Sequence, residues 1–349
     1  MKERAGPTSK LGPIPSSLRS LEPSVSAHST RHRPTGLAFA LLAALAFGGS
    51  GVFARPLLDA GMDPLHVTWL RVAGAALILL PVALRHRDLV RRRPLLLLAY
   101  GVFPMAGVQA LYFAAVARIP VGIALLLEFL GPVLVLLWVR VVRKDRVSPA
   151  AIIGVVLAVA GLGLLLEVWA GMRLDAIGVG LALGAAAAQA AFFLLGDAVG
   201  EDADPLAVIA FGALIATVLL GILSRPWNLP WNLMAHSHDL GGLTLPGWAL
   251  ALWLALVCTA IAYFAGVSAI KRLSPQVAGG VAYLEVVTAI VMAWILLGES
   301  LNATQLVGAV VIVTGAFIAQ IAVPSTPETV PDQATEPATR QVRPPSEHH

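Results

Sequence analysis

Charge is what this chain has least of. Only 13% of its 349 residues are Asp, Glu, Lys or Arg, while 58% are hydrophobic. Soluble domains carry about 25% charged residues, so a water-soluble globular protein is excluded. Cysteine is almost missing too, and the single Cys258 rules out an intramolecular disulfide framework. No GxxxxGK[ST] phosphate loop occurs, so the chain supplies no ATPase of its own. Histidines stand only at 28, 32, 66, 86, 236, 238, 348 and 349, in tails, loops or at the edge of an apolar run. The run Gly48-Gly49-Ser50-Gly51, which has the GxSG pattern of an intramembrane serine protease, therefore has no base within reach. His236, His238 and Asp239 make only a weak metal set in one loop. Neither metal, cofactor nor enzymatic activity is expected.

What is present is apolar sequence in long runs. Ten segments are almost free of charge: 36–54, 64–84, 95–116, 119–139, 150–168, 177–196, 206–224, 247–269, 274–297 and 302–322. Each has about the length that crosses a 30 Å hydrocarbon core at 1.5 Å per residue. The runs are too long and too unalternating for barrel strands. The expected fold is an all-α integral membrane protein of ten transmembrane helices. Residues 1–35 are basic and rich in Pro and Ser, and 323–349 are rich in Pro, Thr and Glu, so both read as disordered tails.

Lysine and arginine set the expected orientation. Six lie in the N-terminal tail, five in 85–93, four in 140–146, two at Lys271 and Arg272 and two in the C-terminal tail. The opposite loops hold Arg55, Arg118, Arg173 and Arg225. The positive-inside bias puts both termini in the cytoplasm of a multi-pass plasma (inner) membrane protein. Basic loops facing anionic lipid explain the net charge of +4 without nucleic acid.

The two halves are related. Arg118, Gly154 and Gly161 match Arg272, Gly308 and Gly315 at one offset of 154, and DPLHV (63–67) matches DPLAV (204–208) at 141. Residues 36–169 and 177–322 thus read as two five-helix repeats. Five is odd, so the second enters from the opposite side and the repeats are inverted, a plan frequent in secondary transporters. The strings GGSGVFARPLLDAGMDPLHVTWLR (48–71), ALLLEFLGP (124–132) and YLEVVTAIVMAWILLGESL (283–301) resemble the EamA family of the drug/metabolite transporter superfamily. ALLLEFLGP is similar to the fourth-helix motif of the threonine/homoserine-exporter branch, and LLGES to the family's LLGE ending of helix nine. The first half shows Val-Arg-Lys-Asp in place of LLGE, and Val286 stands where many relatives carry proline.

Arg71, Glu128 and Glu285 are the ionisable groups well inside the apolar runs. A charge at the bilayer centre costs about 2.5–3.5 kcal/mol on insertion scales, so such groups face the bundle interior. Arg71 and Glu128 lie about 10 and 12 Å from the same side by helical rise and are expected to pair, or to take a substrate carboxylate and amine. Glu285 is then left without a cation and is a candidate carrier of a coupling proton. A small stripe of Ala278, Ala282, Ala289 and Ala293 turns its helix face toward protein. Gln109, Tyr112 and Tyr283 complete the candidate site, with Gln189 and Tyr263 as further polar candidates. The expected function is alternating-access export of small polar metabolites such as amino acids. Export of hydrophobic amines or drugs and a passive metabolite channel are the alternatives. The expected partners are a small-molecule substrate and the lipid bilayer, with proton coupling and a homodimer as further options.

Overall fold

The computed structural model describes residues 33–144, 147–167, 174–196, 203–273 and 283–321. Residues 1–32 and 322–349 lie outside the described residues, as do Ala278, Ala282 and the rest of 274–282, while Arg33, Pro34 and Thr35, assigned to the N-terminal tail by the sequence, open the first helix. The helices are α1 (Arg33–Asp59), α2 (Pro64–Arg85), α3 (Pro94–Val116), α4 (Val121–Val141), α5 (Pro149–Leu166), α6 (Ala176–Gly196), α7 (Pro205–Ser224), α8 (Gly247–Ile270), α9 (Leu284–Leu297) and α10 (Ala303–Ile321). Seven of them are long and apolar enough to cross a membrane, while α6, α9 and α10 supply shorter apolar stretches of 10–17 residues. Each predicted run overlaps a described helix, although 274–282 of the ninth run lies outside the described residues, and the span criterion is met by seven helices among the described residues.

Helix starts follow from local chemistry. Asp63 and Asp204 accept the N–H groups of Leu65 and Leu206 at 2.7 and 3.4 Å, each with proline next in sequence, and Ser148 does the same for Ala151 before Pro149. A side-chain acceptor at the cap and proline in the first turn satisfy or remove the orphan donors of a helix N-terminus. Three helices are irregular inside. Gly101–Val108 of α3 and Leu256–Ile261 of α8 are wound as π-helix. In α4, Val121–Glu128 and Gly131–Val141 are separate pieces. Pro104 and Pro132 explain two of these breaks: a proline has no N–H for the carbonyl four residues back and its ring crowds that carbonyl.

Between α7 and α8 a two-stranded hairpin, β1 (Ser237–Leu240) and β2 (Leu243–Pro246), turns at Gly241 and Gly242, both at positive φ. His236 and His238 lie within hydrogen-bond distance of the Asn232 and Leu233 carbonyls, and Asp239 accepts from the Gly242 N–H. These groups serve the loop, and no cluster of three metal-type ligands occurs among the described residues.

Helices α5 and α10 cross through four glycines. A Cβ on Gly154 would stand 2.7 Å from the Gly315 carbonyl, and one on Gly161 would stand 2.9 Å from that of Gly308. Gly315 and Gly308 face Gly154 and Gly161 in return. The contact is backbone on backbone, so no side chain can yield. Gly315→Val is therefore expected to destabilise the protein by about 1–3 kcal/mol, the range for overpacking. Thermal unfolding in detergent checks this, and an unchanged midpoint would remove the close-approach argument.

Polar contacts divide the helix ends between two faces. On one, Arg55, Arg118, Glu167, Asp175, Glu299 and Asn302 join the ends of α1, α3, α5 and α9 to the starts of α4, α6 and α10. Asp175 accepts the Gly178 N–H at 2.7 Å, and this bond and then Arg118 hold its carboxyl below the usual range. On the other face, Lys271 is 3.2 Å from Asp204, Arg272 lies over the Phe39 ring, and Gly36 abuts Leu273. Helix α1 thus starts at the Lys271 face and α6 at the Arg55 face.

Candidate functional site

A cavity of about 200 Å³ lies among the irregular helices. Gln109, Glu128, Gln189, Tyr263 and Glu285 supply its polar lining, with Phe47, Tyr100, Pro104 and Val108 as its apolar wall. The breaks put these groups there. Glu128 ends the first piece of α4, Gln109 follows the π segment of α3, and Tyr263 follows that of α8. π segments are frequent at functional sites because they re-aim side chains and free carbonyls. Glu285 opens α9, and the close approach of α1 there depends on Gly48, whose added Cβ would stand 2.6 Å from the Glu285 carbonyl.

Arg71 is 2% exposed and lies behind this cavity. Its Nε donates to Thr259 Oγ1 at 2.7 Å, Nη1 to Gln109 Oε1 at 2.8 Å and Nη2 to the Cys258 carbonyl at 2.9 Å, while Phe113 covers the guanidinium at 5.3 Å. The expected Arg71–Glu128 pair is not formed: among the described residues no carboxylate lies within ion-pair distance of Arg71. The reason is the π turn in α8, which offers Arg71 a carbonyl and a hydroxyl. Thr259 donates to Leu254 O at 2.8 Å, so its lone pairs are free for Arg71. Glu128, 8% exposed, and Glu285 therefore share the cavity with no hydrogen-bond or ion-pair partner among the described residues.

Two expected members are elsewhere. Tyr112 is buried with its hydroxyl against Gly51, and Tyr283 packs between Phe129 and Phe317. Neither side chain lines the cavity. Thr259 and the Cys258 carbonyl had no sequence signal, since a π segment leaves no residue signature. Gln189 and Tyr263, legible as polar residues in apolar runs, do line the cavity.

One face is shut. Arg55 donates to the carbonyls of Val116 at 2.9 Å and Ile119 at 3.3 Å and reaches Glu299 at 3.4 Å, while Glu299 accepts the Val121 N–H at 2.8 Å. This network joins α1, α3, α4 and α9 about 10 Å from the cavity, the rise of the seven residues from Val121 to Glu128. Val52, Leu57, Phe113 and Leu125 pack fully buried or nearly so behind it. Burial pushes the Glu299 carboxyl up from its ordinary value, against the opposing pull of the Val121 N–H and Arg55.

Residues 34–167 and 176–320 each match the EamA-like transporter family. The chain is 32% identical to the threonine/homoserine exporter RhtA of Salmonella typhimurium LT2 over 301 residues, 83% of this chain and 93% of that protein. It is 32% identical to the exporter of the same name from Escherichia coli K12, covering 80% and 89%. An uncharacterized transporter of Archaeoglobus fulgidus is 28% identical, covering 81% and 96%. A solved structure of 20% identity superposes with a TM-score of 0.57 over 83% of this chain and 98% of its own, which supports the fold alone.

Proposed function

The chain belongs to the EamA-like transporter family, and from that premise we propose that it is a secondary transporter exporting amino acids or related small polar metabolites by alternating access. The observation that carries this reading is the cavity itself: two carboxylates without partners among the described residues and two amides, with a packed, hydrogen-bonded seal on one side. Two carboxylates in one low-dielectric cavity repel each other, and an ammonium group or a proton relieves that repulsion. In this reading Glu128 and Glu285 take the substrate amine in one step and a proton in the next. Threonine or homoserine, the cargo in the names of the RhtA relatives, fits that chemistry.

The two five-helix units, 36–169 and 177–322, act as inverted repeats that rock about the cavity. Support comes from the opposite starting faces of α1 and α6, and from Gly36 against Leu273 in one place and Gly178 against Ile119 in the other. Ile119 and Leu273 differ by the same offset of 154. The Lys271 face is cytoplasmic, as are both termini, by the positive-inside rule. The cavity lies toward that face, so the described conformation is the one that loads from inside. The Arg55–Glu299 network is the closed outer gate.

The test is efflux of labelled L-threonine and L-homoserine from proteoliposomes with and without an imposed pH gradient. Gradient-accelerated efflux is expected. Glu285→Gln is expected to retain exchange but lose the response to the gradient, and a full response in that variant would end the proton-carrier role. Equal flux in both directions without counter-transport would favour a channel. Transport of hydrophobic amines but of no amino acid would favour the drug-exporter alternative.

A further inference from the structure

Gln109 touches both the cavity and Arg71. A guanidinium has five N–H donors and no acceptor, so the Gln109 atom 2.8 Å from Arg71 Nη1 has to be oxygen. The other orientation would set donor against donor. Gln109 Nε2 and its two N–H groups are therefore turned away from Arg71. Arg71 cannot follow the amide if it rotates, because Thr259, the Cys258 carbonyl and the Phe113 ring hold the guanidinium on three sides. The cation also withdraws charge from the amide, which strengthens its N–H groups as donors. The Tyr263 hydroxyl shares the cavity lining, so one of them can serve it and the other a ligand.

We propose that Arg71 is a positioning residue that fixes the Gln109 amide so that its N–H donor reads the carboxylate of a zwitterionic substrate, while Glu128 and Glu285 hold its ammonium. This rests on the amino-acid-export reading above. A cation placed directly in the cavity would pair with Glu128 and quench it. A buried cation acting through a neutral amide leaves both carboxylates available. The arrangement thus discriminates an amino acid from the amine that lacks its carboxylate, because a site built to hydrogen-bond one group rejects the analogue without it.

The experiment compares kcat/KM for L-threonine and for its decarboxylated counterpart, 1-aminopropan-2-ol, in proteoliposomes. The wild-type protein is expected to prefer threonine. In Arg71→Met and Gln109→Glu the KM for threonine is expected to rise about 10-fold or more, with the amine unaffected, so that the preference collapses. Arg71→Lys, which can still donate to Gln109 Oε1, is expected to retain part of it. Gln109→Glu keeps the bond to Arg71 and puts an acceptor oxygen, with its charge paired by Arg71, where the N–H donor stood, so a loss confined to threonine in this variant decides the matter if Arg71→Met fails to fold. Equal changes for both compounds, in kcat and KM alike, would make the Arg71–Gln109 pair purely structural and overturn the proposal. A wild-type protein that moves threonine without preference over the amine also overturns it. A wild-type protein that moves neither compound overturns the export reading itself, and this assignment with it.

Discussion

Glu128→Gln is expected to lower kcat/KM for L-threonine by about 100-fold while the protein stays folded. Removing one partner of a buried charge pair costs about 2–5 kcal/mol, or roughly 30-fold to several thousand-fold. In the proposed binding mode the pair forms only with the substrate ammonium, because among the described residues Glu128 has no hydrogen-bond or ion-pair partner. The amide has the same shape, so packing around the α4 break is kept. Deleting a charge from a buried site relieves desolvation, and the melting temperature in detergent is expected to hold or rise. Two measurements separate the roles. A large loss of transport with an unchanged melting temperature supports substrate contact. A falling melting temperature with transport that simply tracks the folded fraction would make Glu128 structural.

Arg55→Ala is expected to open the sealed face. Arg55 holds the last carbonyls of α3, reaches Glu299 and bonds Asp59 at 2.8 Å. Its side chain is 24% exposed, so solvent replaces part of what is lost, and about 1–3 kcal/mol of closure is at stake. That is roughly a 5- to 150-fold change in the population of the open state. Leu125→Cys reports it, since Leu125 is 2% exposed behind the network and the native Cys258 is fully buried. A membrane-impermeant maleimide is expected to label Leu125→Cys faster by that factor when Arg55 is Ala. Unchanged labelling would mean that the packed core alone keeps the face shut.

The same reporter reads a pH dependence. Burial raises the Glu299 carboxyl in the closed conformation, Asp59 adds to this, and Val121 N–H and Arg55 oppose it. A carboxyl whose value is raised on closing binds a proton more readily closed than open. Closure is then favoured as pH falls toward the ordinary carboxylate range and loses that contribution as pH rises through the raised value. Labelling of Leu125→Cys, normalised to the exposed Ala60→Cys, is expected to increase with pH and to become flat when Glu299 is Gln.

Much of the architecture was legible before any coordinates. The apolar runs located the helices, and the glycines at the offset of 154 marked the repeat, but only the structure shows that those glycines face one another across α5 and α10. DPLHV and DPLAV are legible as a repeat match, and the structure adds that Asp63 and Asp204 cap the two helices that follow. The site was only half legible. Gln109, Glu128 and Glu285 stood out as polar groups where lipid forbids them, and they do meet in one cavity. Tyr112 and Tyr283 stood out for the same reason and pack elsewhere, since polarity in an apolar run does not say which face of the helix it occupies.

Sequence by itself determined that this is a membrane protein of apolar helices with three charges too costly to waste, because desolvation acts on each residue alone. Tertiary structure decided what those charges meet. Two π segments and a proline break rotate α3, α4 and α8 out of regular register, and a partner chosen by depth along ideal helices is then the wrong one. Arg71 so finds a carbonyl, a hydroxyl and an amide in place of Glu128, and the two carboxylates are left facing the cavity.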